Sequence, residues 1–319
     1  MSAKIGIFVP QGWRMDLVDI KDPVEKYEAM TNVAKEADKL GYESIWLYDH
    51  FHTVPTPETE AVFECWTTTA ALARDTQNVK IGQMVGCMGY RNPAVLAKMA
   101  STIDVLSHGR LFFGIGAGWY EHEYRAYGFG FPDTRERMRR LAEGVRVIRT
   151  MWDDERAKFE GEYYTVDGAI NEPKSAGRKI PLLIGGGGEQ VTLKLVAKFG
   201  DACNISGIDP EVYRQKFAIL KEHCDEVNRP YDEITRTANV TVGYADSDAE
   251  ADQLTKKIRG QASLEQYRKG NLVGNSQQIV EGLQKLVEAG AQYFTIYLLD
   301  AYKLDNVRRL AAEVLPAFK

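Results

Sequence analysis

The sequence predicts one (β/α)8 TIM barrel forming a single domain over residues 1–319, and two observations carry that prediction. Short β-branched runs alternate with long amphipathic stretches eight times, the pattern of parallel strands joined by helical crossovers. An open doubly wound sheet, the competing layout, would need a G-x-G-x-x-G turn after one of its strands. The nearest stretch, Gly114-Ile115-Gly116-Ala117-Gly118, has Trp119 where the last glycine would stand.

The elements follow in order. Residues 5–9 read as the first strand. Asp22-Pro23 supplies an N-cap and a proline at N1 for a helix that runs to Leu40 and stops at Gly41. Residues 44–48 and 79–85 are the second and third strands. Asn92-Pro93 opens a helix ended by His108-Gly109, residues 110–115 form the fourth strand, and 132–151 read as an arginine-rich helix. Residues 152–178 break the alternation: they are polar, contain Gly161-Glu162-Tyr163-Tyr164 and Pro173, and predict an insertion with a short hairpin. Residues 180–185 and 201–206 are the fifth and sixth strands, followed by helices over 190–199 and from Asp209-Pro210. Residues 235–244 are the seventh strand. Two helices, 247–269 and 276–289, each start on a serine placed as N-cap. Residues 292–299 are the eighth strand and 303–317 the closing helix.

Composition narrows the function classes. Hydrophobic residues make up 44% and charged residues 27%, as in an ordinary globular protein, and the net charge of −5 is spread along the chain, which predicts no nucleic-acid partner. No apolar run approaches the roughly 18 residues of a membrane span, and the N-terminal residues enter a strand at once without signal character. Four scattered cysteines without a C-x-x-C pair read as reduced thiols, so the expected compartment is the cytoplasm.

In such a barrel the chemistry lies at the C-terminal ends of the strands. Those ends carry Trp13 after the first strand, Asp49-His50-Phe51-His52 after the second, Cys87 to Pro93 after the third, and Gly118 to Glu123 after the fourth. Two histidines within three residues, beside an aspartate, point to function rather than to structural imidazoles. Asp49 and His50 are the predicted catalytic residues. Gly185-Gly186-Gly187-Gly188, leading into a helix, predict an anion site, since bare backbone N–H groups and the helix dipole both favour a phosphate. A plain tight turn would need only one glycine. Trp13, Tyr90, Trp119 and Tyr120 crowd the same face, and Trp13, His52, Trp119 and Tyr120 form the predicted apolar substrate pocket. Trp66, on a helix, reads as core. His50-Phe51-His52 also imitates the histidine pair of metal-dependent amidohydrolases. Those enzymes place the pair after the first strand and draw ligands from strands five and six, where this chain has glycines and Asn204-Ile205-Ser206, so no metal is predicted.

Five motifs in order resemble the luciferase-like flavin and deazaflavin oxidoreductases: Tyr48-Asp49-His50-Phe51, Tyr90-Arg91-Asn92-Pro93-Ala94, the run from Gly109 to Trp119, Phe159-Glu160-Gly161-Glu162-Tyr163-Tyr164 and Ile184 to Gly188. The resemblance implies a ribityl-phosphate cofactor of the isoalloxazine type. Flavin users more often carry a glutamate-histidine pair after the second strand; the aspartate-histidine-phenylalanine form is similar to the coenzyme F420 branch. There the aspartate lies near the deazaflavin ring and the histidine faces the substrate. A bulge with a non-proline cis peptide, here at Met84-Val85, backs the ring. The implied cofactor contacts are Asp49, Met84, Val85, Cys87, Gly118, His122 and Gly185, Gly186, Gly187 and Gly188, with His122 on the ribityl or phosphate portion or else on the surface. Where the sugar-phosphate dehydrogenases of that branch have a catalytic glutamate and a second tryptophan, this chain has Trp119 and Val54, which argues against that activity.

The expected function is hydride transfer between F420 and a small, fairly apolar molecule with an activated C=C, carbonyl or imine group, or a secondary alcohol in reverse. An FMN-dependent monooxygenase on the same barrel is the alternative; a cofactor-binding protein without turnover is a third reading. The resemblance also suggests a homodimer.

Overall fold

The computed structural model describes residues 2–319. Its first half runs β1 (Lys4–Phe8), α1 (Pro23–Leu40), β2 (Ser44–Leu47), α2 (Cys65–Asp75), β3 (Lys80–Gln83), β4 (Gly86–Cys87), α3 (Pro93–Leu106) and β5 (Leu111–Gly116). Then come α4 (Glu121–Ala126), α5 (Thr134–Asp153), β6 (Ala157–Glu160), β7 (Thr165–Ala169), β8 (Leu182–Gly185), α6 (Thr192–Phe199) and β9 (Ala202–Ser206). The chain closes with α7 (Pro210–Glu226), β10 (Thr235–Tyr244), α8 (Asp248–Arg259), α9 (Leu264–Arg268), β11 (Leu272–Gly274), α10 (Ser276–Glu288), β12 (Tyr293–Leu298) and α11 (Asp305–Glu313).

The strands β1, β2, β3, β5, β8, β9, β10 and β12 pair in parallel in that order, and β12 returns to β1. The barrel is therefore closed and the predicted fold is observed. Neighbouring residues of a strand serve opposite layers. Phe112 joins Phe8, Trp46, Tyr48 and Tyr293 inside the barrel, while Phe113 joins the larger core between strands and helices. Phe8 and Tyr48 stack with ring centroids 4.2 Å apart. Each such side chain withdrawn from water stabilises the fold by about 1.5–3 kcal/mol.

The caps explain why helices begin where they do. Asp22, Asn92 and Asp209 each accept backbone N–H groups of the turn they open, with proline at the first helical position. Gly41 ends α1 in the left-handed region, as its position predicted. The insertion is a two-stranded antiparallel hairpin of β6 and β7. Glu143 of α5 fastens its turn by accepting from the backbone N–H groups of Glu162 and Tyr163, each at 2.9 Å.

Four expectations need correction. The helix predicted over 247–269 is two helices, because Gly260 takes a φ of 57° and Ser263 then caps α9 with a full capping box. The cap of α10 is Asn275, whose side chain accepts from Gln278 N, so Ser276 is already helical. The closing stretch is split by Leu304 at a φ of 64°. Three short elements, β4, α4 and β11, were not expected; β11 merely extends the edge of β10. No helix among the described residues is long and apolar enough to cross a membrane.

The barrel is tightest where β3 gives way to β4. A Cβ at Gly114 would lie 1.9 Å from the carbonyl oxygen of Gln83, a backbone atom that cannot step aside. Gly114→Ala should therefore lose at least about 3 kcal/mol or fail to fold. At Gly270 an added Cβ meets nothing within 4 Å, so Gly270→Ala should stay within about 0.5 kcal/mol of wild type. Urea denaturation of the two variants checks both.

Candidate active site

Two buried carboxylates shape the C-terminal mouth of the barrel. The first is Asp49, just past β2, whose side chain is wholly buried. Its Oδ2 accepts from Cys87 N at 2.8 Å and Arg91 Nη1 at 2.7 Å, and its Oδ1 from Arg91 Nη2 at 3.0 Å. Arg91 Nη2 also donates to Glu64 at 2.6 Å, and Glu64 caps α2. Burial, the largest influence, pushes the Asp49 carboxyl above its ordinary range even though Arg91 opposes it. A fork-on-fork ion pair of this kind makes so buried a charge tolerable. Asp49 was expected to offer its carboxylate to the cofactor ring. It borders the cavity, and the donors Arg91 and Cys87 fix how its carboxylate lies there.

The second carboxylate, Glu123 on α4, is fully buried. Its Oε2 accepts from Tyr90 Oη at 2.7 Å and pairs with His50 Nδ1 at 2.8 Å. Its Oε1 accepts from the backbone N–H groups of Phe51 at 2.6 Å and His52 at 2.8 Å. Burial pushes Glu123 up, but the bonds from His50, Tyr90 and His52 outweigh it and hold the carboxyl below its ordinary value. An ionised carboxylate only accepts, so Nδ1 of His50 carries the hydrogen. His50 Nε2 then has no protein partner and is left for the cavity. The imidazole lies flat on Trp13, centroids 4.3 Å apart and 2° from parallel, with Trp119 and Tyr120 at its edges.

The cavity beside His50 measures about 400 Å³. Trp13, Tyr48, Asp49, His50, Met84, Val85 and Cys87 line one part of it, and Gly118, Trp119, Gly185 and Gly186 another. The Met84-Val85 peptide is cis, as the family resemblance implied. Val85 protrudes so far that a Cβ at either Gly116 or Gly185 would come within 2.8 Å of its methyl carbons. Beyond Gly185, the backbone N–H groups of Gly186, Gly187 and Gly188 donate to no acceptor among the described residues. Lys216 lies beside Gly187 and is paired with Glu189 at 2.7 Å.

Not every predicted residue reaches the cavity. Gly187 and Gly188 continue past its wall, and Tyr120 donates to Thr53 O at 3.1 Å and faces a neighbouring chamber. His52 turns away towards His122, with ring centroids 4.9 Å apart. His122 itself is exposed on α4. His50 and His52 point apart, and no three His, Cys, Asp or Glu side chains among the described residues form a ligand set. The Cys87 thiol, pushed by burial up to about 12, is not a nucleophile near neutrality. Trp66 is buried in the core, as read.

Sequence reasoning placed Tyr90, Arg91 and Glu123 at the mouth without giving them these bonds, and it passed over Met138, Thr192, Asn204, Ser206 and Asn239, which complete the cavity wall. Asn204 and Ser206 carried a usable signal: two polar residues at i and i+2 near the end of a barrel strand face the same side.

A closed parallel barrel whose mouth joins a buried carboxylate, an imidazole and a glycine-lined cavity is the architecture of a barrel enzyme. The luciferase-like monooxygenase family profile matches residues 3–271, and the chain belongs to that family. An F420-dependent glucose-6-phosphate dehydrogenase of Kineococcus radiotolerans is 27% identical over 321 residues, covering 91% of this chain and 93% of that protein. An F420-dependent secondary alcohol dehydrogenase solved with an F420-acetone adduct shares the fold at a TM-score of 0.84 and 20% identity, covering 100% of both chains. The oxygenating constituent of 3,6-diketocamphane monooxygenase from Pseudomonas putida, solved with FMN, shares it at 0.76 and 19%, covering 99% of each.

Because Glu123 sits below its ordinary value, the stability it adds is present above the unfolded value of 4.5 and is lost as the pH falls below it. Glu123→Gln should lose about 2–3 kcal/mol at neutral pH. Its stability should then fall less steeply than wild type below that value. Denaturation midpoints across the acid range measure both.

Proposed function

We propose that the chain is a coenzyme F420-dependent oxidoreductase that moves a hydride between the deazaflavin and a small, fairly apolar organic substrate. The acceptor is an activated C=C, carbonyl or imine group, and a secondary alcohol is the donor in reverse. The observation that carries the reading is His50: its Nδ1 is fixed by Glu123 and its Nε2 is free at a cavity with a glycine-lined wall. The F420-dependent relatives of the same family support the choice of cofactor.

The residues fit such a group. The unpartnered N–H groups of Gly186, Gly187 and Gly188, in the turn that precedes α6 and beside Lys216, suit its phosphate. Val85, held forward by the close approach of Gly116 and Gly185, offers a firm surface for a flat ring. When bound, the deazaflavin supplies the carbon that gives or takes the hydride and, unlike a flavin, does not activate oxygen usefully. His50 Nε2 is the atom placed to deliver or receive the accompanying proton, and Glu123 balances the charge that appears on the imidazole. Trp13 and Trp119 keep water from the reacting carbon. Trp119 and Val54, standing where the sugar-phosphate enzymes of the branch carry catalytic groups, support a less polar substrate than a sugar phosphate.

Absorption-monitored titration with F420 and with FMN tests the cofactor; tighter binding of FMN would overturn the assignment. Gly187→Asp tests the anion site cleanly, because a Cβ there meets nothing nearer than 3.8 Å. It should weaken F420 binding more than tenfold, or about 1.4 kcal/mol. His50→Gln should keep F420 affinity within a fewfold but slow single-turnover hydride transfer by about 10²–10⁴ and change its pH profile. A full-speed variant would remove His50 from the chemistry.

A further inference from the structure

Next to the cavity lies a second chamber of about 870 Å³, opening on the same face of the barrel. The two share Trp119 as a wall. Trp13 also connects them, since its ring stacks on His50 and lies 5.6 Å from the guanidinium of Arg14, which lines the second chamber.

Arg14 is the unusual group there. It is partly buried, and its guanidinium stands 4.6 Å from the centre of the Tyr297 ring. Aromatic faces attract a cation but offer few acceptors for its five N–H groups. Arg14 makes no ion pair among the described residues, in contrast to Arg91, which holds two carboxylates. The one acid close by, Asp16, accepts from Gly12 N at 2.8 Å and Tyr297 Oη at 3.2 Å. Burial, its largest influence, pushes the Asp16 carboxyl above its ordinary value and so weakens it as a counter-ion. Across the chamber, Glu60 is held by Lys26 at 2.7 Å, and exposed Lys257 leans to Asp19 at 3.7 Å.

We propose that Arg14 is a specificity-determining residue that binds a carboxylate of the substrate, so that the natural substrate is a small organic acid. Its apolar body would lie along Trp13 and Trp119, with its reducible or oxidisable carbon beside His50. A planar carboxylate matches the guanidinium fork. A phosphate dianion would call for a second cation at the same spot, and Lys257 is engaged towards Asp19. This deepens the hydride-transfer reading and rests on it for the reaction, but not for the binding.

The test uses trans-cinnamate and its neutral isostere cinnamamide as probes, titrated calorimetrically with and without saturating F420. Wild type should bind cinnamate at least tenfold more tightly than cinnamamide. Arg14→Gln should erase the difference, and Arg14→Lys should retain part of it. F420 affinity of both variants should stay within twofold of wild type, which reports an intact barrel. Equal affinities in wild type, no binding of either probe, or a preference that survives in Arg14→Gln would each overturn the proposal. An Arg14-dependent preference in a protein that binds no F420 would uphold the carboxylate site and sink the cofactor assignment instead.

Discussion

A carboxylate with no access to water must be met by hydrogen-bond donors, and at Glu123 that requirement organises the mouth of the barrel. Its four donors come from His50, Phe51 and His52 after β2 and from Tyr90 after β4, while Glu123 itself follows β5. Three connections that are separate in sequence are thereby tied to one group. Bonds to a charged acceptor contribute about 1.5–3 kcal/mol each, so moving any one of these segments breaks a costly contact. The orientation of His50 is a consequence of this, since its ring is fixed from the carboxylate side and from the face of Trp13.

Asp49 and His50 are adjacent yet serve different ends, as alternation along an extended chain allows. Asp49 joins Arg91 and, through it, Glu64 at the start of α2, which braces the wall around Cys87. Removing one partner of such a buried pair costs about 3–5 kcal/mol because the other charge is left unmet. The two carboxylates therefore act as scaffolding, and the open nitrogen of His50 is what they present. Their shifts run in opposite directions for a stated reason: burial dominates at Asp49, whereas at Glu123 the converging donors outweigh it.

The fold was legible because its signals are local. The caps at Asp22, Asn92 and Asp209 lie within a few residues of the turns they stabilise, and the strand runs carry their own periodicity. Where neighbouring signals competed, the reading slipped: Asn275 and Ser276 are both capable caps, and only the side-chain bond to Gln278 N decides between them. The glycine run and the Asp49-His50 pair were visible as motifs. Glu123 was not, because its meaning lies in partners more than 30 residues away. Glu121 and Glu123 look alike in sequence, yet the first makes a surface pair with Arg125 and the second is buried. The ion pair of Asp49 was missed for the same reason, since Arg91 lies 42 residues on.

The aromatic walls give the few polar groups at the mouth their selectivity. In a cavity lined by Trp13, Tyr48 and Trp119 the effective dielectric is lower than in water, so each exposed donor or charge acts more strongly on what enters. The unpartnered amides after Gly185 and the free Nε2 of His50 sit on strand ends or just beyond them, where the closed barrel limits their movement. A ligand of the proposed kind would satisfy both at once, with its apolar body against the indoles. Flexible loops carrying the same groups could adjust to many shapes; groups fixed by β2, β5 and β8 cannot. That rigidity is set by the buried carboxylates of Asp49 and Glu123, which hold the side chains at the mouth in place.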